Sequence, residues 1–390
     1  MNLLKSIFRR TPLGWNQLWR DKTRLLTAIA GIAFADILIF MQLGFRNALF
    51  DTNTSIQRKL DTDLVLISSR AREMTRLYTF PRRRLYQALD IPGVLSADAL
   101  YVNFLDWRNP VTRQLTPMLV IGQNPTTPTF HLPEVNQQLD LIKLPDHVLF
   151  DATSRGEYGE LVANLSADQT MSTEIERRSI TIAGQFEVGA AFAFDGILIT
   201  SDQNFLRLFP KRSENTPSMG LLKIDPSYDA DLIRAQLNAT LPADVIAFTL
   251  EEYIDFEYAY WNERTPIGFV FGFGSAMGFV VGVVIVYQVL STDVNAHLAE
   301  YATFKAMGFR DRYFLFVLLE ESLVLTIMGF LPGYGISLGL YRLAREATAL
   351  PMYLVASRVI FVFVLTGVMC CISGAIASRR LQNADPADIY

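Results

Sequence analysis

The sequence predicts a membrane protein of mixed α+β class: four transmembrane helices, with a large α+β domain inserted between the first and the second. Three observations predict it. Four apolar runs reach the roughly 20 residues that a bilayer core demands of a helix. A long, mostly polar stretch separates the first two runs, while the later connections are short. The mean hydropathy of +0.23, with 51% apolar residues, is too high for an ordinary soluble domain and too low for a chain that is all membrane.

The four runs are Leu25–Phe45, Ile267–Leu290, Tyr313–Tyr341 and Val359–Ala377. They divide the chain into an N-terminal segment at 1–24, a domain at 46–264, a connecting segment at 291–312 and a tail at 378–390. The first run has the basic flank of a signal peptide, but it is too long, it is broken by Asp36 and no small-x-small cleavage site follows. It is read as a retained anchor. Ahead of it, Thr11 can cap a helix that Pro12 begins, and Trp15 and Trp19 lie one turn apart. That pattern fits an interfacial helix with an aromatic anchor, or a plain extension of the first span.

Orientation follows from the basic residues of short segments. Lys5, Arg9, Arg10, Arg20, Lys22 and Arg24 precede the first span; Lys305, Arg310 and Arg312 lie between the second and third; Arg379 and Arg380 follow the fourth. With four spans all three groups fall on one side, which is read as the cytoplasm, and the inserted domain is then outside. Arg342, Arg345 and Arg358 run against the rule, and Glu346 offsets them only in part.

The external domain reads as strands at Asp63–Ser68, Thr116–Gly122, Ser179–Ala183, Gly196–Thr200, Gly220–Ile224 and Val245–Thr249, with a helix at Asp229–Asn238. The last two strands and their helix suggest a β-α-β unit of split type. Residues 147–209 are strand-rich and are read as a second lobe, and Leu250–Arg264 as a helix leading into the second span. Arg70, Arg72, Arg76, Arg82, Arg83 and Arg84 cluster around Tyr78 and Phe80. This suits an anionic partner such as lipid headgroups, or simply a solvated loop.

Several functions are excluded by what the chain lacks. A net charge of −4 argues against a nucleic-acid partner. The only cysteines, Cys370 and Cys371, are adjacent inside an apolar run, so no zinc spacing or structural disulfide is expected. There is no phosphate-cradling G-x-x-x-x-G-K-[ST], no G-x-S-x-G and no H-E-x-x-H, and His131, His147 and His297 are scattered. No catalytic residue, bound cofactor or metal is therefore expected.

The spans carry polar and small residues with meaning. Gly268/Gly272 and Gly274/Gly278/Gly282 have the small-xxx-small spacing that lets helices approach closely, within the chain or across a dimer. Asp36 lies mid-span with Gln42 nearby, and a carboxyl there is costly unless paired or wet. A proton or substrate role and a hydrogen bond at a helix interface are both open. Glu320 and Glu321 open the third span near the cytoplasmic face, where water would lower their cost. Between the second and third spans, Asn295–Gly308 is polar and helix-prone, too short to be a domain, and suited to act as a lever.

These residues resemble the MacB/FtsX/LolC permease class of type VII ABC transporters. Arg20-Asp-Lys-Thr-Arg24 is similar to the family's motif ahead of the first span, and Glu300-Tyr-Ala-Thr-Phe-Lys-Ala-Met-Gly308 to its coupling helix. Glu321 with Gly329 and Gly333 matches the third-span spacing, and Asp385-Pro-Ala-Asp388 the C-terminal ending. The coupling helix and Gly31–Phe45 look most like the DevC type. The resemblance implies a homodimer in the inner membrane with cytoplasmic termini and a periplasmic domain. It implies a separate DevA-like ATPase carrying ATP and Mg, contacted through Glu300, Tyr301, Phe304, Lys305, Met307 and Gly308. It also implies a DevB-like periplasmic adaptor, a TolC-like outer-membrane channel and export of glycolipid. An FtsX-like transmitter that activates a periplasmic partner is the alternative.

Overall fold

The computed structural model describes residues 22–167, 169–175, 178–297, 303, 307–308, 311–348 and 350–382. The interfacial helix expected around Thr11–Trp19, the Asp385–Asp388 ending and most of the coupling segment lie outside these residues. The described chain divides into a membrane unit, ending at Ala48 and resuming at Ile267, and an outer unit, Leu49–Pro266.

Among the described residues four helices are long and apolar enough to cross a membrane, and the protein is a multi-pass membrane protein. Helix α1 (Lys22–Asn53) outruns its apolar stretch, ending where Thr52, Thr54 and Ser55 turn their hydroxyls back onto the carbonyls of Leu49, Phe50 and Thr52. Those bonds satisfy acceptors that a helix end leaves open. The other three cross as Pro266–Ala296, Asp311–Thr348 and Ala356–Gln382. The first of these begins at Pro266, whose missing N–H costs nothing at that position.

Helix α1 is the centre of the membrane unit. Ile32 and Ala33 face Gly329 and Gly333 of the third span; Ala35 and Ile39 face Gly282 and Gly278 of the second; Asp36 meets Thr366 of the fourth. A Cβ at Gly329 would lie 2.6 Å from Ile32 Cβ, so the two backbones approach closely only because the side chain is absent. Leu25, Ala28, Ile32, Val286, Leu290, Leu325 and Met369 form the shared core.

The outer unit is built on one nine-stranded mixed ladder in the order β5-β6-β4-β7-β3-β2-β8-β1-β9. The strands are β1 Leu64–Ser68, β2 Val94–Arg108, β3 Leu115–Gln123, β4 His147–Asp151, β5 Met171–Ile175, β6 Arg178–Phe186, β7 Gly196–Ser201, β8 Met219–Ile224 and β9 Val245–Thr249. In chain order its longer helices are α2 (Arg83–Leu89), α3 (Gly159–Ser166), α4 (Asp202–Leu208), α5 (Ala230–Thr240) and α6 (Leu250–Ala259), so the later membrane helices are α7 (Pro266–Ala296), α8 (Asp311–Thr348) and α9 (Ala356–Gln382).

The β8-α5-β9 unit is present and split: both strands run antiparallel to β1, which lies between them. Residues 147–201 supply β4 to β7, joined to the rest where β7 pairs in parallel with β3. The 15-residue strand β2 is the bridge. Its first half pairs with β8 up to Leu100, and its second half, from Tyr101, pairs with β3.

Alternation along the strands divides the core accordingly. One face of the β8-β1-β9 half packs Leu64, Leu66 and Leu222 against Leu85 of α2 and Ile233 and Leu237 of α5. The β3-to-β6 half packs Trp107, Val120, Phe150 and Ile182 against Leu161 of α3 and Phe205 of α4. A third cluster, with Val65, Leu119, Leu149, Ile197 and Tyr253 of α6, runs across both halves.

Three arginines of 70–84, Arg70, Arg82 and Arg84, are held in place locally. Arg84 is buried, its guanidinium bonded to both carboxylate oxygens of Asp244 at 2.8–3.2 Å. Arg82 pairs with Glu214, Arg70 lies 5.0 Å over the Tyr78 ring, and Phe80 is core. Phe80 and Arg84 thus fasten the segment to the domain, because β1, β8 and α2 leave its apolar residues a place to bury, while Arg72, Arg76 and Arg83 are exposed.

Candidate functional site

Three groups of residues carry the functional questions: the polar side chains inside the membrane unit, the glycine stripe of α7, and the connection from α7 to α8.

Asp36 is fully enclosed. Its Oδ1 accepts a 2.6 Å bond from the Thr366 hydroxyl, while its Oδ2 has no partner among the described residues. Thr366 also lies 2.8 Å from the Val362 carbonyl within its own helix. Gln42 is two turns further along α1, packed against Gly274, where a Cβ would lie 2.6 Å from its amide carbon. Asp36 and Gln42 therefore meet different helices and do not form one site.

The α7 glycines divide by face. Gly274, Gly278 and Gly282 lie against α1, and a Cβ on Gly282 would also collide with Met369 of α9. Gly268 is buried, and Gly272 has nothing within 4 Å. The opposite face presents Phe269, Phe273, Met277, Val280 and Val284, all exposed. Of the two packings the spacing allowed, Gly274, Gly278 and Gly282 are used within the chain.

At the other end of α7 the helix runs past its apolar stretch and brings Asp293 into a buried position. The Arg24 guanidinium of α1 pairs with Asp293 Oδ1. His297 folds back so that Nδ1 sits 3.1 Å from the Asp293 carbonyl and 3.6 Å from its carboxylate. Glu321 of α8 is fully enclosed, neither carboxylate oxygen having a partner among the described residues, and the charges acting on it are those of Asp293, Glu320 and Arg24. It is buried rather than at the solvated position expected of it. Burial follows because Ser322, Leu318 and Leu325, its neighbours on α8, pack inward onto α7 and α9.

Glu300, Tyr301, Phe304 and Lys305 lie outside the described residues. Met307 is exposed, its N–H bonded to the Thr303 carbonyl at 3.1 Å, one helical turn back. Gly308 follows with φ +92°, a left-handed conformation that ends a helix at low cost only for glycine. The connection thus turns at Gly308, one residue after the donor of that helical hydrogen bond and three residues before α8.

The three arginines that run against the charge rule each have a local partner. Arg358 is buried and donates to the Tyr341 hydroxyl (3.2 Å) and the Tyr353 carbonyl (3.0 Å); Tyr341 in turn donates to the Phe40 carbonyl at 2.5 Å. Arg342 bonds Glu346 at 3.1 Å, and Arg345 lies 5.0 Å over Tyr353. Sequence reasoning missed Asp293, Thr366 and Tyr341. Asp293 alone left a signal: a lone acid at the end of an apolar run, four residues before a histidine.

In the outer unit the most perturbed carboxyl is Glu257 of α6. Burial pushes it up to about 8, the Glu73 charge adds to the rise, and the Met74 N–H and Tyr253 hydroxyl oppose it. Tyr253 OH donates to Glu257 Oε1 at 3.1 Å. Asp151 is also raised by burial, but it accepts from the Thr153, Val188 and Gly189 N–H groups, which makes it a loop-ordering residue. Among the described residues no group of three or more His, Cys, Asp or Glu is placed to hold a metal ion.

Residues 272–386 match the family model described as FtsX-like permease C-terminal. No curated protein matches the chain. Solved structures similar to it include the periplasmic region of MacB from Actinobacillus actinomycetemcomitans, at 9% identity and a TM-score of 0.32, covering 52% of this chain and 95% of that one. The extracellular domain of the noncanonic ABC-type transporter YknZ from Gram-positive bacteria is similar at 11% identity and a TM-score of 0.31, covering 48% of this chain and 100% of that one.

Proposed function

We propose that this chain, whose residues 272–386 match the model of the FtsX-like permease C-terminal domain, is the permease subunit of a type VII ABC exporter. It binds no nucleotide itself. ATP and Mg act on a separate, DevA-like ATPase, and the chain passes the resulting motion to its outer domain. The cargo is an amphiphile of glycolipid type, which a homodimer of the chain moves from the periplasmic side into a DevB-like adaptor and a TolC-like channel.

The observation that carries this reading is the connection between α7 and α8. It has helix-forming sequence, it ends at a left-handed Gly308, and it is too short to hold a core of its own. A segment of that kind gains its structure and its work from a partner. Glu300 and Lys305 supply charges for the rim of the contact; Tyr301, Phe304 and Met307 supply an apolar knob. A buried aromatic anchor commonly contributes about 2 kcal/mol or more at an interface. At the base of the segment, the Arg24–Asp293 pair ties α7 to α1, so a push on the segment is felt by the central helix.

The test is a variant joining Glu300→Lys with Tyr301→Ala. Hydrolysis should be uncoupled from export, or the ATPase released, with the permease level in the membrane unchanged. A double variant that retains its ATPase and exports normally would overturn the reading.

A further inference from the structure

The loop between β6 and β7, residues 187–195, carries an apolar side chain that the outer unit does not bury. The loop is fastened at both ends. Asp151 Oδ1 and Oδ2 accept from the Val188 and Gly189 N–H groups at 3.2 and 2.8 Å, Arg155 pairs with Asp195 at 2.8 Å, and the Ala191 N–H closes a turn on the Phe194 carbonyl at 3.0 Å. Phe194 points into the core. Phe192, at the tip, is 52% exposed.

What lies beside Phe192 gives the exposure a meaning. Its backbone N–H donates to the Asn53 side chain at 3.1 Å, and Asn53 is the last residue of α1. Its ring stands edge-on to Trp261 at 5.9 Å, and Trp261 is five residues before Pro266, where α7 begins. The loop therefore touches the chain where it leaves one membrane helix and where it enters the next. Five residues reach at most about 18 Å when extended, and less in the wide turn that Tyr260–Arg264 forms. The same junction holds Tyr258, packed edge-on against Phe50 at 4.9 Å, and Tyr260, perpendicular to Trp261 at 5.6 Å. Tryptophan and tyrosine concentrate at the headgroup level of a bilayer, where an apolar ring and a polar edge are both accommodated. A phenylalanine has no polar edge. One fixed next to that belt lowers its free energy by entering the tops of the acyl chains.

We propose that loop 187–195 is a lipid contact, with Phe192 seated at the boundary of headgroups and acyl chains in the leaflet on the outer domain's side. The partner is bulk phospholipid. The loop joins β6 to β7, so the contact would lie at the ends of those two strands.

The full chain, with Cys370 and Cys371 replaced by alanine, would carry Phe192→Cys or Leu232→Cys, labelled with a small fluorophore, in phosphatidylethanolamine–phosphatidylglycerol nanodiscs. Leu232 on α5 is 70% exposed and serves as the aqueous reference. Nitroxide lipids labelled near the headgroup should quench the label at 192 several-fold more than the label at 232, and aqueous iodide should show the reverse order. Equal quenching at both positions overturns the proposal. A photoreactive phenylalanine analogue at 192 provides a second reading closer to the native ring. Lipid adducts support the contact; adducts to protein alone, or none, count against it.

Discussion

Arg24 of the first membrane helix pairs with Asp293 at the end of the second, 269 residues away, and the acid is almost wholly buried. A charge in that position tolerates its surroundings only while its partner is present. Removing one member of a buried pair typically costs about 3–5 kcal/mol, since the other is left charged and unpaired. Arg24→Ala is expected to lower stability by that order, and more than Arg24→Ala combined with Asp293→Ala. A double-mutant cycle from thermal unfolding in lipid nanodiscs gives the coupling. Additive losses would show that the pair contributes nothing beyond its members.

Asp36→Asn should retain transport. The amide keeps the shape and an oxygen for the Thr366 hydroxyl to reach. Thr366→Val, in contrast, strips the only bond that the described residues give the carboxyl, and leaving a buried polar group unsatisfied costs about 1–3 kcal/mol. The valine variant should therefore be the less stable of the two. A dead but well-assembled asparagine variant would instead place Asp36 in proton transfer.

Cysteines placed on the outward stripe of α7, at Phe269, Phe273, Met277 or Val280, should crosslink between copies if α7 lines a homodimer. Cysteines at Gly278 or Gly282 should crosslink only to α1 or α9, because those positions are already occupied within the chain. Gly282→Leu has no room and should cost about 1–3 kcal/mol or prevent assembly. Crosslinking between copies through Gly278 would contradict the packing.

Glu257 makes stability depend on pH with a definite sign. Its folded value of about 8 lies above the ordinary 4.5, so the folded state holds a proton that the unfolded state has released across that interval. Its contribution is complete below about 4.5 and is lost as pH rises through about 8, at up to roughly 1.4 kcal/mol per unit. Unfolding temperatures of the full chain should fall across this window. Glu257→Gln, neutral at every pH, should flatten the fall; an unchanged slope would locate it elsewhere.

The outer unit, expressed as residues 51–264, should be soluble and should unfold at the same temperature with or without chelator or reductant. It has no cysteine, and its core runs through three apolar clusters. A shift of more than a few degrees with a chelator would reveal a metal.

The spans and most strands were legible because each is a local pattern: an apolar run of bilayer length, or a short block of β-branched residues between turns. Strand β2 was not. Val94–Arg108 changes partner midway, so its inward and outward positions do not alternate cleanly, and Asp98, Asn103 and Asp106 interrupt it. The arginines of 70–84 looked like one patch because sequence shows charge but not the acids opposite, Asp244 and Glu214, which arrive from far along the chain. The same holds in the membrane unit. Asp36 was visible as an anomaly, but Thr366, 330 residues on, could be found only once the faces of α1 and α9 met.

The partner change in β2 also limits how the outer domain can deform. Leu100 ends the pairing with β8, Tyr101 begins the pairing with β3, and both side chains are fully buried. A single uninterrupted backbone therefore serves as the axle for both halves of the ladder. Opening a cleft between them would sever bonds on either side of that axle and expose Leu100 and Tyr101 to water. Relative movement of the two halves is therefore limited by the one strand they share and by the apolar cluster that runs across both.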